Sequence, residues 1–291
     1  MSLGKRVLPA SHAGSWYPTG NSLKSMLEKA FSNVNIPEMS GKTKAIIVPH
    51  AGYVYCLQTA AHSFKTIDTS QYSRVVILGP SHRLYVTKCT IADADFFETP
   101  TGPIPFDRET ADKLINDYPK LFTGLNIEKA QIEHSLEMEC PILKYIFGEK
   151  QFSVIPIMVG AISDKGTQEV ANALSPIISD PQTLLVISSD FCHWGMDFEY
   201  TYLPSGYSVP WKGIEKLDHD AMDAISTGNH QTFADFIKRT GDTICGECPI
   251  RIAMQAIPKP YQVHWLNYSQ SEKITSSRGT SVSYSAGVFS I

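Results

Sequence analysis

Three short apolar runs break off into polar residues in the same way: Ala45-Ile46-Ile47-Val48, Val75-Val76-Ile77-Leu78 and Leu184-Leu185-Val186-Ile187. Each is rich in β-branched residues, which reads as a strand buried on both faces. The first runs into Pro49-His50-Ala51-Gly52, the second into Gly79-Pro80-Ser81-His82, and the third into Ser188-Ser189-Asp190-Phe191-Cys192-His193. Around these strands the apolar period lengthens. Leu23, Met26, Leu27, Ala30 and Phe31 fall on one helical face after Asn21 or Ser22, either of which can cap. A helix around Leu57 to Ile67 separates the first two strands. They therefore form a βαβ unit and should run parallel, with their ends at one edge of a sheet.

The remaining pattern continues the alternation. Val86 to Phe97 predicts one or two more exposed strands, Gly102 to Pro105 a turn, and Asp107 to about Tyr118 a helix. The stretch Glu133-His134-Ser135-Leu136-Glu137-Met138-Glu139 opens a helix ending near Gly148. Phe152 to Val159 is a buried strand whose Pro156 implies an edge or a bulge. Val170, Leu174, Ile177 and Ile178 share a helix face, and a loop from Tyr202 to Pro210 leads to helices from about Gly213 to Ser226 and from Gln231 to Arg239. Thr243 to Pro249 caps another helix, with Pro249 suited to its first turn. Two strands, Gln262 to Tyr268 and Thr280 to Phe289, follow. The prediction is one α/β domain over residues 1–291, without internal repeat or long linker.

In open α/β sheets ligands bind outside the carboxyl ends of the strands. His50, His82 and His193 all stand just past such ends, so one shared site is the economical reading. Neutral imidazoles are ordinary ligands for iron, copper or zinc. Asp190 beside His193 is a carboxylate–imidazole pairing suited to proton transfer, although it could equally cap the next turn. His134 sits between two glutamates; they complement a helix start, and the histidine could also reach the crevice. Cys245 and Cys248 form one CxxC, a weak zinc signal without a partner pair. Cys245, before Gly246 and a helix, could carry a lowered thiol pKa and ligate as thiolate. Cys56, Cys89 and Cys140 read as small core residues.

Composition narrows the function classes. The 291 residues carry a net charge of −4 with no basic block, which argues against a nucleic-acid footprint. No apolar run approaches the ~20 residues of a membrane span, so no membrane insertion is expected. The N-terminus lacks the apolar core of a signal peptide, which points to the cytoplasm and to six reduced cysteines. Gly-x-Gly-x-x-Gly, Walker and Gly-x-Ser-x-Gly patterns are missing, so nucleotide-binding and serine-hydrolase readings lack their signatures.

The segments HAGSWY (His12 to Tyr17), PHAGYVYC (Pro49 to Cys56), LGPSH (Leu78 to His82), EHSLEME (Glu133 to Glu139), SSDFCHWG (Ser188 to Gly195), TICG (Thr243 to Gly246) and LNYSQS (Leu266 to Ser271) resemble the Memo family. That family is named for mediating receptor-tyrosine-kinase-driven cell motility. The resemblance implies a three-layer αβα domain with a largely parallel or mixed central sheet, like the class III extradiol dioxygenases. It implies that His50 and His82 are metal ligands and that His193 matches the acid/base histidine, with Asp190 and His134 beside it. The third ligand position falls on Cys245, where the dioxygenases carry a carboxylate; thiolate is softer, so aromatic-diol ring cleavage stands as an alternative behind the redox-metal and peptide-binding readings. Fe(II) or copper, ahead of zinc, would be the cofactor, with redox activity in cytoskeletal and motility signalling. Relatives also bind phosphotyrosine peptides near the pocket, and Trp16 and Tyr55 lie in the motifs that would line it. The partner would then be such a receptor peptide or a small oxidisable molecule.

Overall fold

The computed structural model describes residues 4–276 and 278–291; the first three residues, part of the stretch read for a leader, lie outside them. Eight strands carry the main sheet: β1 (Thr43–Val48), β2 (Arg74–Pro80), β3 (Cys89–Ala92), β4 (Phe122–Leu125), β5 (Ser153–Val159), β6 (Thr183–Ser188), β7 (Gln262–Gln270) and β8 (Ser281–Ser290). The short strand His193–Trp194 completes it on β8, giving the order His193–Trp194, β8, β1, β6, β2, β5, β3, β4, with β7 also on β8. β1, β6, β2 and β5 run parallel, β8 is antiparallel to β1, and β3 is antiparallel to β5 but parallel to β4, so the sheet is mixed.

Alternate side chains of these strands feed two separate cores. Ala45, Ile47, Val76, Leu78, Leu185 and Ile187 go to one face, and Ile46, Val48, Val75, Ile77, Leu184 and Val186 to the other. Fully burying one such aliphatic side chain contributes about 1.5–3 kcal/mol, so both faces demand a cover. Helices α1 (Gly20–Ser32), α2 (Tyr53–Phe64) and α4 (Cys140–Phe147) cover the second face. Helices α3 (Arg108–Asp117), α5 (Asp164–Ser179), α6 (Pro210–Ser226), α7 (His230–Thr240) and α8 (Glu247–Ala256) cover the first. The result is the expected three-layer α/β arrangement.

Four local expectations need correction. Helix α1 begins at Gly20 after Thr19, ahead of Asn21 and Ser22. Helix α2 begins at Tyr53, because its first turn turns Val54 (73% exposed) and Tyr55 (61%) outward and so hides the apolar period. The strand Cys89–Ala92 is buried, not exposed, since it pairs with β5. Pro156 lies in an interior strand. Beyond β2, its other flank pairs at Val154 with Phe106 and at Ile157 and Met158 with β3, so the neighbours skip the residue that has no N–H.

Candidate metal centre at the carboxyl edge of the sheet

The strand order decides which side chains meet. β6 lies between β1 and β2, so the turn at Asp190 falls between the turns that carry His50 and His82. Asp190 Oδ1 accepts from the backbone N–H of His50 (2.9 Å) and of Ala51 (3.3 Å), which ties the first turn to the third. The second turn is tied elsewhere. Glu133 accepts from His82 N and Arg83 N through Oε2 (2.6 and 3.1 Å), and from His134 N and Ser135 N through Oε1 (2.9 and 3.0 Å). One buried carboxylate thus fixes His82 against His134. Gly79 makes the approach possible: a Cβ there would lie 2.8 Å from Ser135 Oγ and 2.9 Å from Leu136 Cδ2.

His134 stands three residues before a 3-10 turn (Glu137–Glu139) that runs directly into α4, and its carbonyl accepts from Met138 N at 3.0 Å. Its ring stacks on that of His82 (centroids 5.0 Å apart, 17° between planes) and packs on Trp16 at 4.3 Å. His50 Nε2 lies 3.2 Å from His82 Nε2 and 3.3 Å from Cys245 Sγ. His50, His82 and His134 each offer a ring nitrogen within 4.8 Å of the others. Cys245 reaches this trio through His50, while Cys248 packs against the apolar core, so the CxxC pair is split. Gly246 is required between them. Its N–H donates to Ser189 Oγ at 3.0 Å, and a Cβ would fall 2.3 Å from Ser189 Cβ.

His193 lines the same cavity as this trio but forms no hydrogen bond with Asp190. Thr243 holds it: Thr243 Oγ1 accepts from His193 N (2.7 Å) and donates to His193 O (2.9 Å). The Thr243 carbonyl lies 3.2 Å from Nδ1. That contact favours Nδ1–H and leaves Nε2 bare. The expected Asp190–His193 pairing is absent because Asp190 is engaged by the His50 turn.

Burial sets the charge states. It lowers the imidazole pKa of His50, with His82, His134 and His193 adding to it, and lowers those of His82 and His193; His134 falls to about 4. All four are neutral at pH 7, with lone pairs free to ligate. Burial lifts Asp190 to about 7 against its two amide donors. Burial, then Asp190, push the Cys245 thiol well above its usual range. This corrects the lowered value expected before a helix: desolvation outweighs the helix, and only a bound cation would draw off the proton.

These residues face a cavity of about 810 Å³ whose lining also includes Trp16, Tyr55, Arg83, Phe198, Ser271 and Tyr284. The donor spacing fits an ion. Two ligand atoms about 2.0–2.3 Å from a tetrahedral ion stand roughly 3.3–3.7 Å apart, close to the 3.2 and 3.3 Å found here. His134 Nδ1 is buried 3.3 Å from Glu133 Oε1, so that carboxylate and not the cavity is its neighbour.

The family description "Memo-like protein" matches residues 8–288. This chain belongs to the Memo family. It is 37% identical to the Caenorhabditis elegans "Protein memo-1 homolog", over 98% of this chain and 83% of that one. It is 36% identical to human and mouse "Protein MEMO1", over 97% of each chain. A crystal structure of an uncharacterized protein, JW3007, from Escherichia coli K12 shares the fold, with a TM-score of 0.56 at 12% identity, over 82% of this chain and 98% of that one. Within this Memo-family chain, Trp16, Tyr55, Asp190, His193 and His134 line the same cavity as His50, His82 and Cys245. Arg83 and Thr243 were not singled out from sequence. Arg83 adjoins the motif LGPSH and Thr243 opens TICG, so position beside or within a motif was the only signal available.

Proposed function

We propose that the cavity is a redox-metal centre holding iron or copper, ahead of zinc, on His50, His82 and Cys245 with His134 as a further donor. The observation that carries it is the meeting of three neutral imidazoles within 4.8 Å, with a thiol 3.3 Å from one of them. A bound iron or copper ion would supply one-electron chemistry there. The chain's own residues would do the rest. His193, with Nε2 bare and Nδ1 held by Thr243, takes and returns a proton. Asp190, lifted to about 7 by burial, holds the His50 turn in place and is poised to exchange a proton near neutrality. Trp16 and Phe198 line the cavity. The setting is cytoplasmic, in motility signalling. No helix among the described residues is long and apolar enough to cross a membrane.

A second reading is favoured by Arg83. It is exposed at the cavity and forms no ion pair with a carboxylate among the described residues. With Trp16 and Tyr55 it would receive a phosphotyrosine side chain, with the guanidinium on the phosphate. The two readings separate on metal content. Protein purified anaerobically without a tag should carry iron or copper near one per chain, and His50→Ala should not. Metal-free wild-type protein that takes up neither Fe(II) nor Cu(I), yet binds a phosphotyrosine peptide, would replace the first reading with the second.

A further inference from the structure

Three glutamates occupy EHSLEME, and two are amply partnered. Glu133 takes four backbone amides, and Glu137 takes His12 N (2.8 Å) and Tyr17 Oη (2.7 Å) on Oε1, with His12 Nδ1 2.7 Å from Oε2. Glu139 is different. It is 0% exposed, its Oε1 meets only Ser188 Oγ at 2.8 Å, and its Oε2 has no partner. No cationic side chain pairs with it among the described residues. A buried ionised carboxylate with one hydroxyl for company is strongly disfavoured.

Ser188 shows what Glu139 does instead. Its Oγ lies 2.7 Å from His50 Nδ1, 2.7 Å from the Ser135 carbonyl and 2.8 Å from Glu139 Oε1. A hydroxyl has one proton and two lone pairs. The Ser135 carbonyl can only accept, and two oxygens 2.7 Å apart need a proton between them, which only Ser188 can supply. Both remaining neighbours must then donate to Ser188: Nδ1–H from His50 and O–H from Glu139. With Nδ1 protonated, the neutral ring presents a bare Nε2 to His82 and Cys245.

We propose that Glu139 and Ser188 are positioning residues that lock His50 in its Nδ1–H tautomer, with Glu139 acting as a neutral carboxylic acid that donates a hydrogen bond. Burial, with Asp190 adding and Ser188 opposing, favours that neutral form. The lock keeps the ligating nitrogen free before any ion arrives. Its effect on affinity rests on the metal-centre reading above; the tautomer and the protonated acid do not.

The test uses the full chain, metal-free, with ¹⁵N-labelled histidine. NMR should find His50 protonated on Nδ1 and bare on Nε2 in wild type and in Glu139→Gln, whose amide N–H can donate as the acid does. Infrared spectra at neutral pH should show a protonated carboxylic acid that Glu139→Gln removes. Zn²⁺, titrated against a chromophoric chelator, should bind Glu139→Gln within about threefold of wild type. Ser188→Ala should lose about 10–100-fold, the cost of an outer-shell partner, and Ser188→Thr should recover most of it. Nε2–H on His50 in the wild type would overturn the proposal. So would a Glu139→Gln loss as large as that of Ser188→Ala, or the lack of the acid band. If the wild type shows the tautomer and band but takes up none of Zn²⁺, Fe(II) or Cu(I), the lock stands and the metal reading fails.

Discussion

Two clusters of ionisable groups, one of buried His50 and His134 with exposed His82 and one of buried Asp218 and Asp242, spend their polar atoms differently. In the first, the ring nitrogens of His50, His82 and His134 converge on the cavity. In the second, Asp218 Oδ1 accepts from Cys192 N at 3.1 Å and Oδ2 from Tyr268 Oη at 2.7 Å. Asp242 Oδ1 accepts from Thr243 N at 2.8 Å, and its Oδ2 is buried with no partner. Neither aspartate reaches the cavity lining. The first cluster keeps bare donor atoms facing space. The second uses carboxylates to clamp the backbone on both flanks of the histidine, at Cys192 and at Thr243. Burial of a titratable group thus marks a candidate site only when its free atoms face a cavity.

The largest way to break this contrast is Gly246→Ala, because the added methyl would meet Ser189 at the seam of the metal cluster. Urea unfolding should show a loss at or above the ~3 kcal/mol upper end for overpacking. Next comes a pair that should separate the clusters. His50→Ala should lower Zn²⁺ affinity by more than the roughly 10–100-fold of an outer-shell loss, and Asp242→Asn should leave it unchanged. Isothermal titration of both variants checks this.

The acid pair should show itself in pH dependence. Burial raises both carboxyls, and Asp218 raises Asp242 further. The folded state then binds more protons than the unfolded state above the ordinary aspartate range, so stability falls as pH rises from about 4 through neutrality. The slope is at most about 1.4 kcal/mol per pH unit for each group, and Asp242→Asn should flatten it. Urea midpoints across that range are the measurement; an unchanged slope in Asp242→Asn would exclude this group as its source. Tyr268→Phe should cost about 1–3 kcal/mol by orphaning Asp218 Oδ2, without touching metal uptake. The smallest effect is expected at exposed Arg83. Arg83→Ala should change stability by no more than about 0.5 kcal/mol, while weakening any phosphotyrosine peptide that the cavity binds.

The fold was legible where one side of each strand could be read against the other. The runs at Ile46, Val76 and Val186 are apolar throughout because helices cover both faces, and that pattern is local. β4 was not legible, since only Phe122 of its four residues is buried and no period survives. The histidines could be placed at one edge from strand ends alone. Their neighbours could not. Asp190 bonds across to the His50 turn and not to the nearby His193, and Glu133 binds the amides after β2 from 50 residues away. Such pairings depend on β6 inserting between β1 and β2, which no spacing along the chain records. Cys245 was legible as a site residue, but its thiol state was not, because desolvation depends on what closes over it.

The most direct test is a Co²⁺ titration of the metal-free chain, followed by visible and near-ultraviolet absorption. A centre built from His50, His82, His134 and Cys245 should bind one Co²⁺ per chain with a sulfur-to-cobalt charge-transfer band. Cys245→Ser should lose the band while retaining some uptake, and His50→Ala should lose both. No stoichiometric uptake by the wild type, or a charge-transfer band that survives in Cys245→Ser, would contradict the metal centre as drawn.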